Sequence, residues 1–238
     1  MVSDIWTFFT TSDNWSGDGG ILTRLFVHLW VSFLGVATAA VIAIPAGIAV
    51  GHSRRGQVAA TGLANLGRAI PSLAVLGFVV AAGGGIGFLP TYVAMFALAL
   101  PPMFVSSSVG VSEIDRGVID AGRGLGMRTR ELVRRIELPL AMPLILSGVR
   151  IATSQVIATA TLGAFVGYNT LGRFITVGRA NLDNGMLYGG VILVVGLALI
   201  AELGFRILER RLTPWRRQSP QHRGSRTPRR SANAAAGT

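Results

Sequence analysis

The 238-residue sequence contains no cysteine and no lysine, and charged residues make up only 14% of it. Without cysteine, the chain has no disulfides, no thiolate metal sites and no thiol catalysis. Without lysine, it cannot form the P-loop that ATPases use, because that motif needs a lysine on the phosphates. Ordinary globular chains carry roughly 25% charged residues, so the shortage of charge argues against a soluble domain.

The sequence contains long apolar segments with few or no charged residues. Half of the residues are hydrophobic, and the mean hydropathy is +0.54. A helix of about 20 apolar residues crosses a bilayer core, so the sequence predicts an integral membrane protein. The second predicted span is interrupted by Asn65, Arg68 and Pro71. Five spans are predicted, at residues 25–50, 58–82, 86–111, 140–163 and 186–207.

All 22 basic residues are arginines, and their distribution predicts the orientation of the spans. Seventeen of them lie in the loop after the first span, in residues 112–139 and from Arg206 onward, whereas three lie in the opposite loops. Positively charged loops stay in the cytoplasm. We therefore expect a multi-pass protein of a bacterial plasma membrane, with its N-terminus outside and its C-terminus in the cytoplasm.

The two ends of the chain differ from its middle. Residues 1–22 mix aromatic and polar side chains, which predicts an external, interfacial segment. Residues 23–211 form the predicted transmembrane domain. Residues 212–238 are rich in Pro, Ser and Arg, which predicts a basic, disordered cytoplasmic tail. We prefer a solvated, lipid-facing tail to one that binds nucleic acid.

The region 112–139, here called the charged loop, lies between two apolar runs. The pattern VIDAGRGLG predicts one short helix that breaks at Gly126, and TRELVRRIEL predicts a second one. Pro139 and Pro143 then open the next span, where a first turn tolerates proline. A loop whose arginines only fix topology is the simpler alternative, but it needs neither small residues nor a glycine between the two helices.

The charged loop resembles the EAA signature of permease subunits of ABC importers. That signature has Glu-Ala-Ala, three residues, Gly, nine residues and Ile-x-Leu-Pro. Here Asp120-Ala121-Gly122, Gly126 and Ile136-Glu137-Leu138-Pro139 match it at every anchor. Two departures, Asp for Glu and Gly for the second Ala, keep an acid and a small residue.

The resemblance implies an all-α, type I ABC importer permease (MetI-like), a bundle of about five core transmembrane helices with a cytoplasmic coupling-helix loop. It implies as partners two ATPase subunits that bind ATP-Mg, a second permease subunit, identical or homologous, an external substrate-binding protein and the bilayer. This chain would itself be no enzyme and hold no cofactor. Asp120 is expected either to pair with a basic group of the ATPase or to cap its own helix. The implied coupling residues are Asp120, Ala121, Gly122, Gly126, Ile136, Leu138 and Pro139.

Residues 68–78, 85–104 and 169–190 resemble more narrowly the uptake permeases for glycine betaine, carnitine, choline and proline. That resemblance implies an osmoprotectant with a quaternary ammonium group. Other small polar solutes, such as amino acids, are the alternative. Aromatic residues (Phe 11, Trp 4, Tyr 3) are scattered along the sequence, so we expect any aromatic cage to belong to the binding protein.

Polar residues within the spans are candidates to line a translocation pathway, because such residues usually face a bundle interior or water. For each of them, a hydrogen bond between helices is the preferred alternative. Glu202 is expected to pair with an arginine, and the three histidines are isolated. The pathway candidates are Asn65, Arg68, Ser72, Thr153, Ser154 and Gln155.

Two other classes of protein compete with this interpretation. A membrane-embedded enzyme would need paired carboxylates, a metal cluster or an activated nucleophile at membrane depth, and Glu202 has no His or Asp beside it in the sequence. A stand-alone channel or secondary transporter would need no ATPase. The spacing from Asp120 to Pro139 would then be accidental.

The arginine distribution makes a testable prediction about topology. A reporter fused after Arg217 should be cytoplasmic, and one inserted near Asn181 should be external, because positive loops stay inside. Paired phosphatase and fluorescent-protein fusions measure both positions. A reversed pair of signals would overturn the five-span orientation.

Overall fold

The computed structural model describes residues 2–54, 62 and 71–212, and their regular structure is helical throughout. Short 3-10 and π-type turns join or extend several of the helices. The helices are α1 (Val2–Thr10), α2 (Ile21–Ser53), α3 (Ser72–Val79), α4 (Phe88–Ser112), α5 (Arg116–Gly124), α6 (Thr129–Leu132), α7 (Leu138–Leu162), α8 (Gly172–Ala180) and α9 (Asn184–Leu212).

Four of the described helices are long and apolar enough to cross a membrane. They are α2, α4, α9 and the continuous helix Thr129–Val166, which contains α6 and α7. They confirm the first, third, fourth and fifth predicted spans; three of them extend beyond both predicted bounds, and α4 begins two residues after its predicted start. About half of the second predicted span, 58–82, falls outside the described residues, and the part from residue 72 onward belongs to a shorter apolar helix, Ser72–Gly84.

Helix α4 lies between α2 and α7, and the main core forms where the three helices meet. The largest side chains of this core are Met95 and Met103 of α4, both fully buried. Most of their neighbours are small or β-branched, so the three backbones come close to one another. The buried members are Val31, Ala39, Ala43, Met95, Ala99, Met103, Ala152, Val156 and Ala160.

Glycines bring the backbones of these helices into direct contact. A Cβ at Gly47 of α2 would lie 2.5 Å from the carbonyl oxygen of Phe104, and one at Gly51 would lie 2.5 Å from that of Ser108. On the other side of α4, a Cβ at Gly148 of α7 would lie 2.6 Å from the Cβ of Ser106 and 2.8 Å from the carbonyl oxygen of Pro102. Only glycine fits at these three crossings, because a backbone carbonyl cannot rotate away as a side chain does.

The end of the bundle that carries α1 and α8, here called the α1 end, has its own apolar cluster. Phe8 of α1 is buried and packs edge-on against Phe174 of α8, with ring centroids 5.4 Å apart. The ring of Phe8 also occupies the space that a side chain at Gly189 of α9 would fill. The N-terminal segment therefore contains a helix that packs on the bundle, while Trp6 on its outer face stays 72% exposed.

An ion-pair cluster joins α7 to α9. The guanidinium of Arg150 donates to Oε1 of Glu202 at 3.1 Å, and Nε of Arg206 donates to the same oxygen at 3.1 Å. The expected pairing of Glu202 with an arginine is thus confirmed. Within apolar helices such a pair neutralises groups that would otherwise be costly at membrane depth.

We predict that Gly47→Val lowers the stability of the bundle by about 3 kcal/mol, because overpacking against a backbone oxygen forces α2 and α4 apart. Thermal unfolding in detergent and the membrane level of the protein measure the effect. Gly204→Val is the matched control, since a Cβ at that position of α9 has open space around it. Equal stability of the two variants would show that the crossing at Gly47 is not needed for packing.

Candidate functional site

The charged loop begins with a capped helix. The carboxylate of Asp115 accepts a hydrogen bond of 2.6 Å from the backbone N–H of Gly117, and α5 follows from Arg116. Asp120 is exposed in the interior of α5, and its Oδ1 lies 3.7 Å from Nη1 of Arg123. The expectation that Asp120 could cap its own helix is therefore wrong, because Asp115 is the cap, and Asp120 keeps its carboxylate at the surface.

Helix α5 ends at the glycine that the sequence predicted as an elbow. Gly126 has a φ of 79°, which side-chain-bearing residues rarely adopt. Its N–H donates to the carbonyl of Arg123 at 2.9 Å, and the N–H of Met127 donates to that of Gly122 at 3.2 Å. These two bonds form a Schellman motif, which reverses the chain after a helix. The elbow is thus confirmed, with a defined C-cap geometry.

The inner face of α5 packs against the helix that follows the elbow. A Cβ at Gly122 would lie 2.9 Å from Cδ1 of Ile136 and 3.4 Å from Cδ1 of Leu132. Ile119 and Leu132 are buried in the same small cluster, with Ile136 packed against it. Gly122, in place of the alanine of the signature, therefore lets α5 lie closely on the following helix.

The second helix of the charged loop is not a separate element, contrary to the expectation. Thr129–Leu132, a wider π-type turn at Val133–Glu137 and α7 run as one helix. Pro139 follows the wider turn directly, and such a turn accommodates a residue that has no N–H to donate within a helix. Leu138 packs against Val111 and its neighbours at the end of the core. The charged loop thus contains one free-standing helix, α5, and an extension of a membrane helix.

The outer face of α5 carries side chains available to a partner. Asp120 and Ala121 are exposed there. Leu125, the residue before the elbow, is 80% exposed, which is unusual for a leucine outside a membrane-spanning segment. A small, partly apolar surface is thus exposed on α5, and its carboxylate, Asp120, borders a cleft that His52 and Arg54 also line.

Two polar contacts fasten the charged loop to the end of α2. Nδ1 of His52 lies 2.8 Å from Oε1 of Glu137, whose side chain is only 5% exposed. The guanidinium of Arg54 donates a 2.6 Å hydrogen bond to the carbonyl of Ile114, just before α5. Neither contact was predicted from the sequence, in which His52 was interpreted as isolated. Glu137, within the Ile-x-Leu-Pro element, was the available signal, since a carboxylate among apolar residues needs a partner.

The predicted pathway residues do not form one cluster. Ser72 begins α3, whereas Thr153, Ser154 and Gln155 lie near the middle of α7. Thr153 donates to the carbonyl of Val149 at 2.8 Å within its own helix. Ser154 and Gln155 are exposed on the side of α7 that does not contact α4. Asn65 and Arg68 lie outside the described residues.

Aromatic side chains cluster at the α1 end of α4, although aromatic residues are scattered along the sequence. Phe88 stacks on Tyr92 with ring centroids 5.6 Å apart, and Tyr92 stacks on Phe96 at 6.2 Å. Tyr168, from the turn after Val166, contacts Phe88 at 5.9 Å. The spacing 88, 92 and 96 places three rings on one helix face, and this signal was present in the sequence. Burial raises the pKa of the Tyr168 phenol, so it stays protonated at neutral pH.

The glycine-rich element before α4 positions this cluster. Gly87 has a φ of 92°, and its N–H donates to the carbonyl of Val166 at 2.7 Å. That bond ties the start of α4 to the turn that carries Tyr168. Phe88 and Tyr168 therefore meet because of backbone geometry at Gly87.

The described residues form a helical bundle with four membrane-length helices and a protruding, anchored α5, in agreement with the permease fold that the EAA resemblance implies. The backbone is similar to that of an inward-facing methionine ABC transporter, MetNI, with a TM-score of 0.71 at 22% identity, covering 81% of this chain and 96% of the other. An amino acid ABC transporter is similar with a TM-score of 0.59 at 18% identity, covering 83% and 93%. Likeness at this identity establishes the type I importer permease fold.

Sequence comparison places the chain in a family. Residues 39–214 match the model for the binding-protein-dependent transport system inner membrane component, and the chain belongs to that family. It is 31% identical to a glycine betaine/carnitine/choline transport system permease of Bacillus subtilis, covering 90% of this chain and 95% of the relative. It is 34% identical to a carnitine transport permease of Listeria monocytogenes, covering 82% and 88%. The chain is thus a multi-pass membrane permease of a family that works with ATPase and binding-protein partners.

The geometry of the elbow makes a prediction about Gly126→Val. At a φ of 79° a β-branched residue is strained by about 1–2 kcal/mol, although no atom lies within 4 Å of its Cβ. We expect near-normal membrane abundance but a loss of ATPase capture and of ATP-dependent transport, because the end of α5 is displaced. Blotting of membranes and pull-down of the ATPase subunit measure the two effects.

Gly126→Asn is the matched control, because asparagine tolerates the left-handed conformation at a helix C-terminus. It should keep most of the ATPase capture. If Gly126→Val retained both the ATPase and transport, the elbow would serve only to connect two helices.

Proposed function

We propose that this permease imports a small osmoprotectant of the glycine betaine, carnitine, choline or proline type. The observation that carries the proposal is the identity of 31–34% to permeases whose names give those solutes, over 82–90% of this chain. A choline transport permease of Bacillus subtilis is among them, at 32% identity. Glycine betaine, carnitine and choline share a quaternary ammonium group, whereas proline carries a secondary ammonium group.

We propose further that α5 is the coupling helix, which docks in a groove of a separate ATPase subunit. Support comes from its outward face, where Asp120, Ala121 and Leu125 are exposed, and from the hydrogen bond of Arg54 to the carbonyl of Ile114 just before α5. In this proposal the partner binds ATP-Mg and hydrolyses it, because this chain has no lysine for a P-loop. Ile136 packs against α5 at Gly122, whereas Leu138 packs at the end of the core and Pro139 is exposed.

The proposed assembly has two ATPase subunits and two permeases, either two copies of this chain or this chain and a homologue. The charged loop would face the cytoplasm and the α1 end would face an external binding protein, in agreement with the arginine distribution. Ser154 and Gln155 support this arrangement. They are exposed polar groups near the middle of an apolar helix, where side chains face a second subunit or a water-filled path and not lipid.

An uptake experiment tests the substrate. The permease is reconstituted in vesicles with its ATPase and binding protein, and uptake of labelled glycine betaine, choline, carnitine and proline is compared with that of methionine and histidine. We expect ATP-dependent uptake of at least one quaternary ammonium solute. Uptake restricted to methionine or histidine would replace the osmoprotectant with the amino-acid alternative and would leave the importer class unchanged.

A further inference from the structure

Four aromatic rings form a continuous row at the α1 end of the bundle. We call this row, made of Tyr168, Phe88, Tyr92 and Phe96, the aromatic ladder. Successive ring centroids are 5.9, 5.6 and 6.2 Å apart. From Phe88 to Phe96 the helix rises by about 12 Å, at 1.5 Å per residue. The ladder therefore leads from the end of α4 well into the depth of the membrane.

The ladder differs from the aromatic residues that face lipid. Phe26, Trp30 and Phe33 lie along one side of α2 and are each more than half exposed, as expected for side chains that contact acyl chains. In the ladder, Phe88 is 42% exposed, and Tyr92, Phe96 and Tyr168 are partly covered. The ladder is thus recessed, and its rings are still accessible to a small solute.

A polar contact also marks the ladder. The hydroxyl of Tyr92 donates to Oγ1 of Thr38 at 3.1 Å, and Thr38 lies near the middle of α2. Polar groups at membrane depth usually face the interior of a bundle or a water-filled cavity. Tyr92 therefore lies between α2 and α4, on the inside of the bundle, and not on a lipid-facing surface.

We propose that the aromatic ladder is a weak, stepwise binding site for the quaternary ammonium group of the substrate during translocation. The proposal rests on the proposed substrate class. The face of an aromatic ring attracts a cation within about 6 Å of its centroid, and rings about 6 Å apart let the cation pass from one to the next. Four neutral rings bind it without a fixed negative charge, so release stays fast, as conduction through successive sites requires.

Uptake by the complete reconstituted transporter tests the ladder. Phe88→Leu and Phe96→Leu keep an apolar side chain but remove the ring, and each should lower the initial rate of choline uptake about three- to tenfold. Tyr92→Phe keeps the ring and removes only the bond to Thr38, so its uptake should stay within twofold of the unmodified transporter. Phe33→Leu, on the exposed side of α2, is the matched control and should change nothing.

A second measurement separates loss of the ring's charge attraction from loss of packing. Fluorinated phenylalanines placed at position 96 keep the shape of the ring and weaken its attraction for cations stepwise. We expect choline uptake to fall stepwise with fluorine number, while binding-protein-stimulated ATP hydrolysis stays constant. A flat uptake series, or an equal loss in Phe33→Leu, would overturn the proposal.

The two proposals fail in different ways. If the unmodified transporter takes up no quaternary ammonium solute, the proposed substrate class is wrong, and the ladder loses its ligand with it. If it takes up choline and the Leu and fluorinated variants do so equally well, the substrate class stands. In that case the ladder only packs α4 against its neighbours.

Discussion

The close crossing of α2 and α4 is the contact on which the rest of the bundle depends. Lipid tails are as apolar as leucine, so helices in a membrane associate through close packing and not through exclusion of water. Gly47 and Gly51 bring the α2 backbone against the carbonyls of Phe104 and Ser108. Directly after Gly51, the same helix supplies His52 and Arg54 to the charged loop. The crossing that packs the membrane domain therefore also sets the position of α5.

This arrangement gives α5 two independent attachments. One runs through Gly122 to Leu132 and Ile136, on the helix that continues into α7. The other runs from Arg54, at the end of α2, to the carbonyl of Ile114 just before α5. The His52–Glu137 contact joins α2 to that same continuous helix, and removing either partner would leave a desolvated polar group without its hydrogen bond. An ATPase that moved α5 would thus displace α2 and α7 together, on both sides of α4, and would not merely bend a loop.

The parts predicted from sequence depend on local patterns. Long apolar runs predicted the spans, and the arginine distribution predicted an orientation. The spacing around Gly126 predicted the elbow, and Gly126 has a positive φ in the structure. The parts that were missed depend on tertiary contacts. The pairing of His52 with Glu137 joins residues 85 positions apart, and Tyr168 reaches Phe88 only through the bond from Gly87 to Val166. Asp120 was offered as a cap because an acid near a helix start has that role, and the helix in fact begins five residues earlier, at Asp115.

Charged groups are stabilised differently in the charged loop and within the membrane-spanning helices. The charged loop faces water, where arginines and carboxylates are hydrated and a single exposed acid such as Asp120 can select a partner by charge. Within the helices a fixed carboxylate is expensive, and Glu202 is held by Arg150 and Arg206. An unpaired acid at that depth would also hold a quaternary ammonium ion too tightly for transport. Neutral rings avoid both problems, because their attraction for a cation needs no net charge. A recessed row of aromatic side chains is therefore the chemistry that an apolar bundle with little charge can offer to a cationic solute.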